Sequence, residues 1–132
     1  MTDTDVVTAY YAAFNRGDWD GMCGYLTEDV AHDLNQGARE VGRATFRAFL
    51  DRMNRSYREQ LRDIVVMGGG AGRVAAEYVV DGEYLATDEG LPPAQGQRYS
   101  LAGGAFFELR GDKIARVTNY YNLQTWLKQV GA

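Results

Sequence analysis

The fold is decided by residues 97–122, which read QRYSLAGGAFFELRGDKIARVTNYYN. Two segments of this stretch, Gln97–Leu109 and Lys113–Asn122, are rich in the Val, Tyr and Phe residues that favour strands. The turn sequence Arg110-Gly111-Asp112 separates them, so the pattern predicts an antiparallel hairpin. Gly103-Gly104 interrupts the first strand, and paired glycines in a strand are typical of a bend or bulge. We therefore expect a strongly curved antiparallel sheet.

Two further strand-like segments, Leu61–Met67 and Arg73–Leu85, precede this hairpin. The glycine-rich residues 68–72 between them predict a flexible hairpin loop, because they lack the Gly-Lys-Ser/Thr ending of a phosphate-binding loop. The next connection, residues 88–96, holds both prolines of the chain and is longer than a simple hairpin needs. We expect it to cover the mouth of a cavity or to extend a dimer contact.

Apolar residues at helical spacing dominate the first half of the chain. Residues 4–16 predict a helix, with Thr4 or Asp5 as its cap and Gly17 at its end. Three more helices are predicted: one from Asp18 to about Leu26, one that follows Gly42 and continues through Tyr57, and one over Leu123–Val130.

The order of these elements indicates the fold class. Helices first and strands afterwards are typical of an α+β fold, with the helices packed on one face of the sheet. A strongly bent sheet folded around a helix leaves a cone-shaped cavity, which is the natural place for a ligand. Because 132 residues suffice for one hydrophobic core and are too few for two, we predict a single domain over residues 1–132.

Composition excludes several kinds of partner. The formal net charge is −4, whereas nucleic acids and anionic membranes require a basic surface. Hydrophobic residues make up 45% of the chain, yet no apolar run approaches the ~20 residues of a membrane span. The acidic, polar start Met1–Asp5 is unlike a signal peptide, so we expect a cytoplasmic protein. Six arginines between residues 43 and 62, with Asp51 and Glu59 among them, are interpreted as a solvated face.

The inventory of reactive side chains argues against metal and covalent chemistry. One cysteine excludes an internal disulfide, and one cysteine with one histidine cannot form a zinc motif. Cys23 lies at helical spacing among apolar residues, which is typical of a buried, inert thiol. Neither of the two serines stands in a Gly-x-Ser-x-Gly sequence. We therefore expect no metal, no cofactor and no covalent intermediate.

Strand alternation brings a few polar side chains to the expected interior. His32, the single histidine, lies in an alternating segment and shares a strand face with Leu34. Burying an imidazole among apolar residues costs free energy, so such a residue is expected to be hydrogen-bonded or to have a function. On the last strand Val117, Asn119 and Tyr121 share one face.

Four segments of the chain resemble the nuclear transport factor 2-like superfamily. YYAAFNRGD at 10–18 resembles its first helix, YLTEDV at 25–30 the step into its first strand, GRATFRAF at 42–49 the start of its third helix, and residues 106–121 its last hairpin. The resemblance is closest to the SnoaL-like and ketosteroid isomerase-like branch. It implies a cone-shaped α+β barrel with three N-terminal helices, a short C-terminal helix and a homodimer through the outer face of the sheet.

Ketosteroid isomerase requires an Asp base and an oxyanion hole made of Tyr and Asp. An ungapped register over the first helix gives the tyrosine position to Tyr10, although Tyr11 takes it if the helix phase differs by one. The same register puts the base at Leu34 and the second acid at Gly103 or Gly104. Since two of the three groups are missing, we do not expect steroid isomerisation.

The remaining polar groups are compatible with acid–base chemistry. A neutral imidazole is a competent base at pH 7, and a tyrosine hydroxyl can donate to a developing enolate oxygen. We expect a cofactor-independent isomerase, cyclase or dehydratase that moves a proton next to the carbonyl of a small hydrophobic molecule. A non-catalytic ligand-binding or dimeric interaction module is the alternative. The candidate catalytic residues are His32, Tyr10 and Asn119, and the candidate substrate-binding residues are Tyr121, Leu34, Val117, Phe14, Phe49, Met53 and Arg39, the last at the cavity mouth.

Overall fold

The structure is a computed structural model and describes residues 1–131. Helices occupy both ends and the middle of this part of the chain, and the long strands fill its second half. The elements are α1 (Asp3–Asn15), α2 (Trp19–Cys23), β1 (Leu26–Asp33), β2 (Arg39–Val41), α3 (Arg43–Ser56), β3 (Tyr57–Gly70), β4 (Arg73–Tyr84), β5 (Arg98–Arg110), β6 (Lys113–Tyr121) and α4 (Leu123–Val130). No helix within residues 1–131 is long and apolar enough to span a membrane.

The strands form one sheet in the order β2-β1-β6-β5-β4-β3. The pairings of β3 with β4, β4 with β5 and β5 with β6 are antiparallel, as the sequence predicted. β1 instead joins β6 in parallel, with His32 beside Val117. A parallel pair needs a long connection between its strands, and here most of the chain lies between β1 and β6. This pairing was not predicted, and it brings the N-terminal and C-terminal strands together.

A bulge in β3 bends the edge of the sheet. The pairing of β3 with β4 shifts register between Arg62 and Val65, and Asp63 has a φ of 53°. A bulge of this kind bends its strand and increases the local twist. No bulge occurs at Gly103-Gly104, because both glycines keep regular pairing with the neighbouring strands.

α1 lies on the inner face of the sheet and contacts β3, β4 and β6. Because these strands come from both halves of the sheet, the sheet wraps around the helix. The helix cap is Thr2, two residues before Thr4 and three before Asp5, the two expected caps. The Thr2 side chain accepts a hydrogen bond from the Asp5 amide at 3.2 Å, and the Asp5 carboxylate accepts one from the Thr2 amide at 3.0 Å. This reciprocal pair is a capping box, a common start for a helix.

Several element boundaries differ from the sequence predictions. β3 continues to Gly70, so most of the loop expected over residues 68–72 is strand. α2 ends at Cys23, because Leu26 already belongs to β1. α3 ends at Ser56, and Tyr57 begins β3 four residues before the expected start at Leu61. The strand β2 was not predicted, since three residues are too short to show an alternating pattern.

Candidate active site

A cavity of about 650 Å³ lies between α1, α3, the inner face of the sheet and the connection after β4. Its wall is mainly aromatic and aliphatic, as is usual for sites that bind small molecules. Polar side chains interrupt this wall at several places, among them His32 with Asn119 and Glu59 with Asp88.

His32 is the most buried polar residue of the cavity wall, with an exposed fraction of 2%. Its ring centroid lies 4.8 Å from that of Phe46 and 4.7 Å from that of Phe49. The imidazole Nε2 is 3.3 Å from Nδ2 of Asn119, and Nδ1 is buried without a hydrogen-bond partner in the described residues. An unpaired buried nitrogen is costly, so a ligand that supplied the missing partner would be stabilised there.

Burial determines the charge of this imidazole. The loss of solvation lowers the pKa of His32 to about 4, and the neighbouring Asp33 carboxylate opposes that shift only in part. His32 is therefore neutral at pH 7, and it can accept a proton or a hydrogen bond.

Both tyrosines of the first helix line the cavity. Tyr10 and Tyr11 are almost fully buried, and their ring centroids lie 5.2 Å apart in an edge-to-face contact. Burial raises the pKa of Tyr10 and of Tyr11 well above the usual value, so both hydroxyls stay protonated and able to donate. The Tyr11 hydroxyl is buried without a hydrogen-bond partner in residues 1–131. The alternative between Tyr10 and Tyr11 thus remains open.

The structure brings most of the candidate residues together. The candidates that line the cavity are His32, Tyr10, Asn119, Tyr121, Phe14, Phe49 and Met53. Three others do not contribute to its wall. Val117 is fully buried in the hydrophobic core, and Leu34 follows the end of β1 and packs over Gly37.

Arg39 is the third candidate residue that does not line the cavity, so its expected position at the cavity mouth is wrong. Its guanidinium binds the Asp33 carboxylate through Nε at 2.6 Å and through Nη2 at 3.1 Å. Asp33 also accepts a hydrogen bond from the Thr118 hydroxyl at 2.7 Å, and these bonds lower the pKa of Asp33 to about 2. The alternation of β1 points Asp33 away from His32, so this ionised pair lies on the opposite face of the sheet.

Sequence reasoning missed Glu59. This residue was assigned to a solvated face, but the early start of β3 turns its side chain into the cavity. The Tyr99 hydroxyl donates a hydrogen bond to Glu59 Oε2 at 2.6 Å, and desolvation raises the pKa of the carboxyl group. The alternation of Tyr57, Glu59 and Leu61 on one strand face was the available signal, and it depends on ending α3 at Ser56.

The connection between β4 and β5 contributes to the cavity wall through Asp88 and Leu91, among others. The Tyr57 hydroxyl donates to Asp88 Oδ2 at 2.7 Å, and the Tyr84 hydroxyl donates to the Pro92 carbonyl at 2.7 Å. These bonds hold the connection over one end of the cavity, which is one of the two roles expected for it. Among residues 1–131, no group of three or more His, Cys, Asp or Glu residues is placed to hold a metal ion.

This fold and cavity define a small α+β protein of the nuclear transport factor 2-like type. The SnoaL-like domain model matches residues 7–117, so the chain belongs to the SnoaL-like family. No curated protein matches the chain.

Solved structures agree with this family. A candidate polyketide cyclase from Xanthomonas campestris pv. campestris is 66% identical, with a TM-score of 0.94 over 98% of this chain and 96% of that chain. Another from Pseudomonas putida KT2440 is 57% identical, with a TM-score of 0.96 over 99% of each chain. A nuclear transport factor 2-like protein of unknown function from Burkholderia pseudomallei K96243 has a TM-score of 0.84 over 100% of both chains at 15% identity, which shows the fold alone.

Proposed function

We propose that the protein is a small-molecule enzyme of the isomerase or cyclase type, which moves a proton next to the carbonyl of a hydrophobic substrate without a cofactor. The observation that carries this proposal is the neutral imidazole of His32, enclosed in an apolar cavity and paired only with Asn119. The two candidate polyketide cyclases, at 66% and 57% identity, support a reaction of this class.

The pairing of His32 with Asn119 suggests how a substrate would bind. Without a ligand, an amide N–H of Asn119 and the ring nitrogen Nε2 satisfy each other at 3.3 Å. A carbonyl compound that enters between them would place its α-hydrogen near Nε2 and its oxygen near the Asn119 amide. Nε2 then takes the proton, and the C–H electron pair moves into the enolate, whose oxygen accepts hydrogen bonds from Asn119 and from Tyr10 or Tyr11. Return of the proton from His32 to another carbon isomerises the substrate, whereas attack of the enolate carbon on a second carbonyl closes a ring and forms an alkoxide, to which His32 returns the proton.

A non-catalytic binding module is the second candidate, and one observation favours it. The pKa of His32 is about 4, whereas a general base works best when its pKa lies near the working pH. A ligand bound in such a cavity would be recovered unchanged.

Exchange of α-hydrogens distinguishes the two candidates without knowledge of the natural substrate. A panel of hydrophobic ketones such as 1-tetralone and 2-tetralone is incubated with the protein in D₂O, and deuterium uptake is followed by NMR. The enzyme should accelerate the exchange, and His32→Gln should slow the accelerated exchange by roughly 100-fold or more. Equal exchange by both proteins would refute the role of His32. Ligand binding without any accelerated exchange would favour the binding module.

We also propose that two copies of the chain pair through the outer face of the sheet. Phe106 and Tyr120 lie on that face with exposed fractions of 50% and 55%, and their ring centroids are 5.8 Å apart. Met67 is exposed beside the same shallow groove. An apolar patch of this kind on a sheet is typical of an interface between proteins.

A further inference from the structure

Glu59 lies in the cavity wall without a counter-ion. None of the salt bridges within residues 1–131 involves it, although fourteen lysine and arginine residues occur in the chain. Glu59 is half-buried, and a carboxylate that loses part of its solvation with no cation beside it is a candidate functional group. The proton transfer proposed above does not use this group.

The sheet is built to hold Glu59 in place. Glu59 pairs with Gly82 on β4, and Gly82 pairs with Tyr99 on β5, so the three residues form one row across the sheet. A Cβ on Gly82 would lie 2.3 Å from the Tyr99 ring carbon Cζ. The glycine therefore leaves the space in which the Tyr99 ring crosses β4 to reach Glu59, and the Tyr99 hydroxyl donates to Glu59 Oε2 at 2.6 Å.

Two carboxylates at this end of the cavity are held by tyrosine hydroxyls. The hydroxyl protons of Tyr99 and Tyr57 are both donated to carboxylates, to Glu59 and Asp88 respectively. Within residues 1–131, Glu59 Oε1 has no hydrogen-bond partner. The hydrogen bond from Tyr99 opposes the effect of desolvation on the pKa of Glu59 and favours the ionised carboxylate, whose Oε1 accepts a donor from a ligand and repels a ligand anion.

The end that holds Glu59 is connected to the end that holds His32. Asn119 pairs with Ala105 on β5, and Tyr99 lies six residues away on the same strand, a path of roughly 20 Å at the usual rise of a strand. Tyr121 follows Asn119 on the same face of β6, and its pKa is raised mainly by desolvation, to which the charge of Glu59 adds. Because side chains from both ends line the same cavity, one elongated ligand can contact both.

We propose that Glu59, positioned by Tyr99, is a specificity-determining residue that accepts a hydrogen bond from a hydroxyl group at the end of the ligand remote from its carbonyl, and that rejects ligands with a carboxylate there. This inference rests on the proposed function, because it assumes that the ligand carbonyl lies between His32 and Asn119. The ligand is then an elongated, neutral ketone that bears a hydroxyl group or phenol on its far ring.

Three chalcones test the inference, since they share one hydrophobic ketone skeleton and differ only at the ring remote from the carbonyl. Chalcone, 4-hydroxychalcone and 4-carboxychalcone are titrated into the full-length protein by calorimetry. We expect 4-hydroxychalcone to bind about tenfold more tightly than chalcone, as for a hydrogen bond to a charged group, and 4-carboxychalcone to bind at least tenfold more weakly.

Glu59→Gln is the test variant, because it removes the charge and keeps the size of the side chain. The variant should bind chalcone within about threefold of the wild-type affinity, and it should lose most of the preference for the hydroxyl group. It should bind 4-carboxychalcone about tenfold more tightly than the wild type does. Tyr99→Phe is the matched control, since it keeps the carboxylate, and it should retain both the preference and the rejection.

Each remaining outcome counts against a specific claim. A purely structural role of Glu59 would change the affinity for all three chalcones by the same factor in Glu59→Gln, and this result would overturn the inference. Equal binding of the three chalcones to the wild type would overturn it as well. Failure of every chalcone to bind the wild type would overturn the proposed function of the cavity, and the role of Glu59 with it.

Discussion

Nε2 of His32 lies 3.3 Å from Nδ2 of Asn119, across the one pairing of the sheet that is parallel. His32 stands beside Val117 in this pairing, and Asn119 is the next residue of β6 on the same face. Two side chains from distant parts of the sequence thus meet in one apolar wall, and each supplies the hydrogen-bond partner that the other lacks. The proposed chemistry depends on this contact.

A negative charge at position 119 should reverse the effect of burial on His32. Asn119→Asp replaces the amide with a carboxylate of similar size, which favours the charged imidazole, so the pKa of His32 should rise from about 4 towards or above its ordinary value of about 6.5. NMR titration of the single imidazole measures it. Asn119→Leu, which removes the hydrogen bond and adds no charge, should leave the pKa low. An unchanged pKa in Asn119→Asp would show that the two side chains do not interact.

The lowered pKa of His32 also predicts how stability depends on pH. The unfolded chain takes up a proton at about pH 6.5 and the folded protein only at about pH 4, so stability is lost as the pH falls through this interval. Between pH 7.5 and 5.0, this linkage should lower the free energy of unfolding by about 2 kcal/mol.

Urea denaturation at the two pH values measures this loss, with His32→Gln as the control. The carboxyl groups contribute equally to both proteins, and the variant lacks only the imidazole. The stability difference between wild type and variant should therefore shrink by about 2 kcal/mol from pH 7.5 to 5.0. A difference that stays constant over this range would contradict the buried, neutral state of His32.

Gly82 should be far less tolerant of substitution than Gly104, although both are regular strand residues. A Cβ at position 82 would lie 2.3 Å from the Tyr99 ring, whereas the nearest atom to a Cβ at position 104 is the Ala76 carbonyl oxygen at 3.4 Å. We expect Gly82→Ala to lower the free energy of unfolding by about 1–3 kcal/mol, as overpacking does. Gly104→Ala should change it by no more than about 0.5 kcal/mol. Equal stabilities in chemical denaturation would mean that Tyr99 does not occupy the space above Gly82.

A charge on the outer face of the sheet should dissociate the proposed homodimer. Phe106→Glu places a carboxylate in the exposed apolar patch, where a partner would have to bury it. Analytical ultracentrifugation should show a dimer for the wild type and a monomer for this variant, with an unchanged circular dichroism spectrum. Val41→Glu is the control, since Val41 is exposed on the edge strand β2. A monomeric wild type would exclude the dimer.

Local patterns in the sequence were sufficient for much of the fold. The helix expected over residues 4–16 is Asp3–Asn15 in the structure, and the last helix, Leu123–Val130, has the expected bounds. The long hairpins follow from alternation and turn residues. These features depend on neighbouring residues alone, which is why one sequence suffices to predict them.

Features that depend on distant contacts were not predictable in the same way. The parallel pairing of β1 with β6 joins strands that are far apart in the sequence, and no local pattern predicts it. Gly82 leaves space for the ring of Tyr99 on the neighbouring strand. This relationship can be recognised only once the register of the two strands is known. Glu59 was missed because its arginine-rich segment looked solvated, although its strand face is half-buried and lines the cavity.

The most direct test of the central claim is the NMR titration of His32 with and without a hydrophobic ketone. The chain has one histidine, so the imidazole signals are assigned without ambiguity. The account predicts ¹⁵N shifts of a neutral ring that stay constant from pH 8 to about pH 5.5, because the pKa is about 4, and that move when the ketone binds. A titration with its midpoint near pH 6.5 that ignores the ketone would contradict a buried imidazole in a working cavity.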